Sequence, residues 1–260
     1  MGNEKATIND TETGQNDENQ KEIQYKVLLV FYHGGPFGDG KIYAEVNEDM
    51  GGTGRIYSSI YNYCITMGDQ VKGAVIAPAY RQGPGVDTGA TFLKNNYSDG
   101  DLVIIYGYSY GGDNAVNLAE EVSHIPIELM IIVDSSDGPG KGWTVDMSIP
   151  DNVKVCNNYY QDNSSGTSSG SGKISGSSKK GSSSDGSSSS NGSSSESDSS
   201  NSPGSRGYPH TSEGKATVYN YLIRENGVTH GNIQDIVKER VELVMKSFIM
   251  LKRLSSHNRN

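Results

Sequence analysis

The sequence predicts an α/β fold in which a mostly parallel sheet lies between two layers of helices. Six short runs rich in β-branched and aromatic residues occur along the chain, and the first four are almost continuously apolar. Such continuity is typical of strands buried on both faces of a parallel sheet. Segments with apolar residues at helical spacing lie between several runs, and strands that alternate with helices form parallel sheets through right-handed crossovers.

The predicted elements follow one another with short connections. The predicted strands are 25–32, 73–80, 102–108, 127–133, 153–160 and 216–223. The predicted helices, each with an apolar stripe at helical spacing, are 54–67, 111–124 and 232–254. Together they predict a three-layer α/β/α sandwich.

Two polar segments stand apart from this pattern. Residues 1–24 are polar and acidic, and residues 163–205 consist largely of Ser and Gly. Neither can bury enough apolar surface to offset the loss of chain entropy on folding, so both are predicted to be disordered. The sequence therefore predicts one domain over 25–254, interrupted at 163–205, and a second disordered tail at 255–260.

Removal of the Ser/Gly-rich insertion is expected to leave folding intact. A variant that lacks residues 165–203 should melt at the wild-type temperature or slightly above it, because each halving of a flexible loop recovers about 0.6 kcal/mol of closure entropy. Thermal unfolding of the two proteins tests this expectation. A large drop in Tm would mean that the deleted stretch packs against the domain.

Charge and composition exclude several classes of partner. The chain has a formal net charge of -9 and a pI near 5.0, whereas nucleic-acid binding relies on clustered Lys and Arg. No apolar run approaches the roughly 20 residues of a membrane helix, and the N-terminus has no apolar signal segment. We expect a soluble domain without a nucleic-acid partner, which leaves open whether it is cytoplasmic or exported by a non-classical route.

The two cysteines do not indicate a metal or redox site. Cys64 and Cys156 are far apart, one in a predicted helix and one in a predicted strand. This spacing matches neither metal-binding nor redox motifs, so both are predicted to be buried free thiols.

One serine lies between two glycines where a predicted strand meets a predicted helix. The segment is Gly107-Tyr108-Ser109-Tyr110-Gly111. A nucleophile at such a junction requires a sharp turn, in which the residues two before and two after it approach too closely for Cβ atoms. An ordinary glycine-rich turn is the alternative for the short motif alone. In its strand and helix context, the segment resembles the nucleophile elbow of the α/β-hydrolase superfamily.

A second glycine-rich segment follows the first predicted strand. Its His-Gly-Gly-Pro sequence resembles the oxyanion loop of the same superfamily, in which backbone N–H groups stabilise negative charge on a carbonyl oxygen. The resemblance implies Gly35 and Tyr110 as donors, with Phe37 as the alternative to Gly35. Pro36 has no N–H to donate. A plain strand-ending turn is the other interpretation.

Asp134 is the candidate for the acidic residue of the triad, and Asp162 is the alternative. Asp134 ends the strand after the serine strand, so its carboxylate could orient a histidine at the same edge of the sheet. Most superfamily members carry the acid one strand later, where Asp162 lies, although some lipase-like branches have it at the earlier position. Asp137 is a weaker third candidate, and a turn-forming role is the alternative for Asp134.

His230 is the candidate base. It lies between the last predicted strand and the long helix, the position of the superfamily's histidine, and it completes the order Ser, Asp, His. A solvated loop histidine is the alternative. The remaining histidines are less well placed for this role, because they lie in the oxyanion loop, at a helix end, beside the insertion and in the tail; they are His33, His124, His210 and His257.

The resemblance implies a serine hydrolase that forms an acyl-enzyme without a metal or organic cofactor. Small-molecule or lipid carboxyl esters are the expected substrates, and contact with a lipid surface stays open. The stretches GYSYGGDNAVNLA and VTHGN also resemble lipase-like hydrolases of bacterial polymorphic toxin and secretion-effector systems. The chain lacks the extra leading strands and the helical cap of larger members, so we expect a minimal cap and an open, shallow site.

Two other functions stay open at this point. His-Gly-Gly-Pro also resembles the oxyanion loop of proline-cleaving aminopeptidases, which would make the protein a peptidase or amidase of the same fold. A catalytically inactive hydrolase-like binding module is the other alternative. Convergence of Ser109, His230 and a carboxylate within hydrogen-bond reach would favour an enzyme.

Overall fold

The computed structural model describes residues 25–35, 38–46, 50–79, 82–136, 145–162 and 207–257. The predicted disordered segments 1–24 and 163–205 lie outside these ranges. The elements are β1 (Lys26–Tyr32), α1 (Gly51–Met67), β2 (Gln70–Ile76), α2 (Gln82–Asn96), β3 (Leu102–Tyr108), α3 (Tyr110–Glu121), β4 (Ile127–Val133), β5 (Ser148–Ile149), β6 (Val153–Tyr160), β7 (Thr211–Ser212), β8 (Thr217–Leu222) and α4 (Ile233–His257).

The six predicted strands are present and form one sheet in the order β2-β1-β3-β4-β6-β8, with every neighbouring pair parallel. Strand β2 begins at Gln70 and ends at Ile76, earlier at both ends than predicted. The two-residue strands β5 and β7 form a separate parallel pair. Because the six strands run in one direction, the loops at their carboxyl ends meet at one edge of the sheet, where ligands bind in such folds.

Side chains of the sheet alternate between two apolar cores. In β1, Val27, Leu29 and Phe31 pack with α1 and α4, whereas Leu28 and Val30 pack with α2 and α3 on the opposite face. All five are fully buried. This alternation follows from the period of two along a strand. The result is the predicted three-layer α/β/α arrangement.

Helix α2 is not among the predicted helices, because its sequence contains three glycines and a proline. Gly89 permits close packing of the helix against β1. A Cβ on Gly89 would lie 2.2 Å from the hydroxyl of Tyr32, and the same hydroxyl donates a hydrogen bond to the carbonyl of Gly85 at 3.0 Å. Pro84 lies in the first turn, where its missing N–H costs little.

Helix α4 continues to His257, so residues 255–257 are helical and do not belong to the tail predicted at 255–260. No helix within the described ranges is long and apolar enough to cross a membrane. Cys64 and Cys156 are free and buried, as predicted. Burial raises the pKa of the Cys64 thiol to about 12 and also raises that of Cys156, so both thiols are protonated at neutral pH.

Candidate active site

Ser109 lies at the sharp turn between β3 and α3, with φ 55° and ψ -128°, a backbone conformation that L residues rarely adopt. Backbone segments approach one another very closely at this turn. A Cβ on Gly107 would lie 2.2 Å from the carbonyl oxygen of Gly111, and a Cβ on Gly111 would lie 2.5 Å from the carbonyl oxygen of Tyr32. Both positions therefore require glycine.

Replacement of Gly107 by Ala is expected to destabilise the fold by about 3 kcal/mol, at the upper end of typical overpacking costs. The added methyl group would meet backbone atoms of Gly111, which cannot move without opening the turn. Chemical denaturation measures the loss. Gly83→Ala is the matched control, because among the described residues its Cβ would meet only Asp87 Oδ2, at 3.9 Å. Equal stability of the two variants would contradict the tight turn.

The side chains of Ser109, His230 and Asp134 form a continuous hydrogen-bonded chain. His230 Nε2 lies 2.7 Å from Ser109 Oγ, and His230 Nδ1 lies 2.7 Å from Asp134 Oδ2. The serine follows β3, the aspartate follows β4, and the histidine lies between β8 and α4. A carboxylate at Nδ1 favours the tautomer with its proton on Nδ1, which leaves Nε2 as the acceptor for the serine proton.

Asp134 is fully buried, and a buried carboxylate is costly unless donors satisfy its oxygens. Besides His230, Gln161 supplies them: its backbone N–H lies 3.3 Å from Oδ1 and its side-chain amide 3.2 Å from Oδ2. Gly207 packs against the same group, since a Cβ there would lie 2.6 Å from Oδ1. Sequence reasoning did not identify Gln161 or Gly207; the only signal was that Gln161 precedes the alternative acid, Asp162.

The alternative acid lies outside this network. Asp162 Oδ2 is 3.8 Å from Arg224 Nη2, and its side chain is 54% exposed. Both candidate acids follow neighbouring strands, β4 and β6, but only Asp134 contacts His230. The geometry therefore favours Asp134. Asp137, the third candidate, lies outside the described residues.

Tyr108, directly before the serine, supports the histidine. Its ring stacks on that of His230 with centroids 5.1 Å apart and planes 22° apart. Its hydroxyl donates a hydrogen bond to the backbone carbonyl of His230 at 2.5 Å. An aromatic face also stabilises positive charge, which the imidazole acquires when it accepts a proton. The turn that positions Ser109 thus positions its partner as well.

The glycine-rich loop after β1 lies against the serine turn. A Cβ on Gly34 would lie 3.2 Å from Ser109 Cβ. Gly34 is followed by Gly35, and Tyr110 is the first residue of α3, so the two candidate oxyanion donors lie on the segments that border the serine. The alternative donor, Phe37, lies outside the described residues.

His33 connects this loop to the start of α1. Its Nε2 lies 2.9 Å from the carbonyl oxygen of Met50, and its Nδ1 contacts the carbonyl oxygen of Gly34. These contacts hold the loop against the start of α1. Within the described ranges, no group of three or more His, Cys, Asp or Glu side chains is arranged to hold a metal ion.

No protein-family model matches the chain, and no curated protein matches its sequence. Est1E from Butyrivibrio proteoclasticus is 10% identical, with 91% of each chain covered and a TM-score of 0.43. ClbQ from the colibactin NRPS/PKS pathway is 9% identical, with 91% of this chain and 100% of that chain covered and a TM-score of 0.39. A lipase-esterase related protein from Clostridium acetobutylicum is 14% identical, with 44% of each chain covered and a TM-score of 0.27. This chain therefore spans less than half of the Clostridium protein, and these low similarities do not bear on activity.

The assignment of the fold rests on the features of this structure alone. A parallel sheet lies between two helical layers, a strained serine lies between β3 and α3, and a histidine precedes the last helix. The acidic residue after β4 completes the order Ser, Asp, His along the chain. The chain therefore has a three-layer α/β/α fold, and its serine turn and its order of residues resemble those of the α/β-hydrolase superfamily.

Proposed function

We propose that this protein is a serine hydrolase that cleaves carboxyl esters, with Ser109 as the nucleophile, His230 as the general base and Asp134 as the carboxylate that orients the histidine. The observation that carries the proposal is the pair of 2.7 Å contacts that join the three side chains. Such a hydrogen-bonded series is the signature of an activated nucleophile. The strained serine backbone supports the same interpretation, because strain of this kind is concentrated at functional sites.

The reaction follows from these roles. Ser109 Oγ attacks the ester carbonyl while His230 Nε2 takes its proton, and the N–H groups of Gly35 and Tyr110 donate to the developing oxyanion. The tetrahedral intermediate then expels the alcohol, which receives the proton from His230. Water attacks the acyl-enzyme by the same sequence of proton transfers and releases a carboxylic acid. Asp134 remains ionised and stabilises the imidazolium.

The helix that begins at Tyr110 adds to the stabilisation of the oxyanion. The N-terminus of α3 carries partial positive charge from its aligned peptide dipoles, and it directly follows Ser109. The donor at Tyr110 is thus a backbone group fixed by the helix. Fixed donors stabilise charge without reorganising during the reaction.

Small-molecule or lipid esters are the proposed substrates. Ester hydrolysis requires less of the general acid than amide hydrolysis, because an alkoxide leaves more readily than an amine anion. The test is hydrolysis of p-nitrophenyl acetate, butyrate and octanoate beside p-nitroacetanilide. We expect the esters to be cleaved and the anilide to be inert, with the shorter esters preferred because the sequence predicts an open, shallow site. Faster cleavage of the anilide would make the protein an amidase, and no cleavage of any substrate would favour a binding module.

A further inference from the structure

We propose that Ser136 is a further catalytic residue, whose hydroxyl donates a hydrogen bond to Ser109 Oγ and stabilises that oxygen as the leaving group of deacylation. The inference rests on the proposed serine hydrolase function. Ser136 Oγ lies 3.0 Å from Ser109 Oγ. Both residues are buried, with 3% and 9% of their surfaces exposed, so bulk water does not compete freely for this contact.

The direction of this hydrogen bond follows from the protons available. The carboxylate of Asp134 only accepts, so the proton of His230 lies on Nδ1, and Nε2 is an acceptor. Ser109 donates its single hydroxyl proton to Nε2. The remaining hydrogen bond at Ser109 Oγ must therefore be donated by Ser136.

Backbone hydrogen bonds fix Ser136 beside the nucleophile. The N–H of Ser136 donates to the carbonyl of Ser109 at 3.1 Å, and the N–H of Ser109 donates to the carbonyl of Val133 at 3.0 Å. The end of β4 and the loop after it are thus each joined to the serine turn by a hydrogen bond. The hydroxyl is held in place before the reaction begins, which is the condition for an effective electrostatic donor.

The hydrogen bond changes strength most in deacylation. When the tetrahedral intermediate collapses, the bond between the acyl carbon and Ser109 Oγ breaks, its electron pair moves to Oγ, and the proton on His230 Nε2 moves to the same oxygen. The acyl group leaves as a carboxylic acid that carries the hydroxyl of the attacking water. In the acyl-enzyme Oγ is an ester oxygen and a weak acceptor, whereas in the transition state it carries developing negative charge and accepts strongly. Only such a difference between the two states accelerates a step.

Acylation gains less from the same contact. In acylation, Ser109 Oγ starts as a hydroxyl oxygen that already accepts the hydrogen bond from Ser136. The strength of this hydrogen bond therefore increases less between the ground state and the transition state than it does in deacylation. If Ser136 had a purely structural role, its substitution would slow acylation and deacylation by similar factors. The ratio of the acylation and deacylation rates therefore reports on the proposed role.

The test is stopped-flow hydrolysis of p-nitrophenyl acetate, in which the burst phase reports acylation and the steady phase reports deacylation. We expect Ser136→Ala to slow deacylation about 10- to 100-fold, less than the roughly 10²- to 10³-fold for a lost oxyanion donor, and acylation by less than about 3-fold by the same reasoning. Ser136→Cys keeps the shape of the side chain, with a somewhat larger terminal atom, but offers only a weak S–H donor. It should slow deacylation nearly as much as the alanine variant.

Ser135→Ala is the matched control, since the Ser135 hydroxyl is buried next to Ser136 and has no hydrogen-bond partner among the described residues. It should leave both rates at wild-type values. Wild-type deacylation in Ser136→Cys would show that Ser136 acts by packing and would overturn the inference, as would equal losses in Ser135→Ala and Ser136→Ala. Absence of p-nitrophenolate release by the wild-type protein would instead reject the proposed hydrolase function.

Discussion

Ser109→Ala is expected to lower kcat toward any hydrolysed ester by about 10⁴-fold or more, because loss of a nucleophile leaves only the contribution of the oxyanion donors and of binding. The substitution removes one oxygen and keeps the Cβ. It also keeps the strained backbone at φ 55°. We therefore expect the free energy of unfolding to change by no more than about 1 kcal/mol, the typical value of one hydrogen bond.

Steady-state hydrolysis and thermal unfolding of the same protein preparations separate these two effects. Ser135→Ala again serves as the control, because it removes a buried hydroxyl from the neighbouring loop and should retain wild-type kcat. Substantial ester hydrolysis by a folded Ser109→Ala protein would mean that another group attacks the ester, and the assignment of the serine turn would have to be abandoned.

Asp134→Asn is expected to lower kcat by about 10⁴-fold, the size of the effect that this change has in a serine protease with a Ser-His-Asp triad. The asparagine amide can present an N–H to His230 Nδ1, which favours the tautomer with its proton on Nε2. That tautomer cannot accept the proton of Ser109, so the hydrogen-bonded series is broken at its first step. The position of Asp134 at 2.7 Å from Nδ1 makes this effect direct.

Asp162→Asn supplies the comparison, because it makes the same chemical change one strand away. Its carboxylate takes part in an exposed contact with Arg224 at 3.8 Å, and exposed pairs contribute at most about 1 kcal/mol to stability. We expect its kcat to stay within about 3-fold of wild type, since no contact with His230 is lost. A larger loss in Asp162→Asn than in Asp134→Asn would place the acid after β6.

The centre of the sheet could be predicted from the sequence because strands β1, β3 and β4 are buried on both faces and are therefore almost continuously apolar. Helix α2 could not be predicted, because Gly89, one of the glycines that lower its helix propensity, packs against the Tyr32 hydroxyl of β1. That contact joins positions distant in the chain. Local propensity contains no information about such packing, so a glycine-rich helix resembles a loop until its neighbour is known.

The candidate site, like the fold, could be predicted from the sequence only in part. The serine turn is a local motif, and Ser109 could be identified from the residues that flank it. The choice between Asp134 and Asp162 could not be made, because both follow neighbouring strands and only the direction of each side chain separates them. Gln161 and Ser136 were not identified, since their contacts join loops that follow different strands.

Labelling with a fluorophosphonate probe, followed by mass mapping of the modified peptide, tests the central claim most directly. These probes react with serines that an adjacent base activates, and they require no knowledge of the substrate. We predict one adduct per chain on the peptide that contains Ser109, no adduct in Ser109→Ala, and much slower labelling in Asp134→Asn. A folded wild-type protein that remains unlabelled, or an adduct on another serine that persists in Ser109→Ala, would contradict the account.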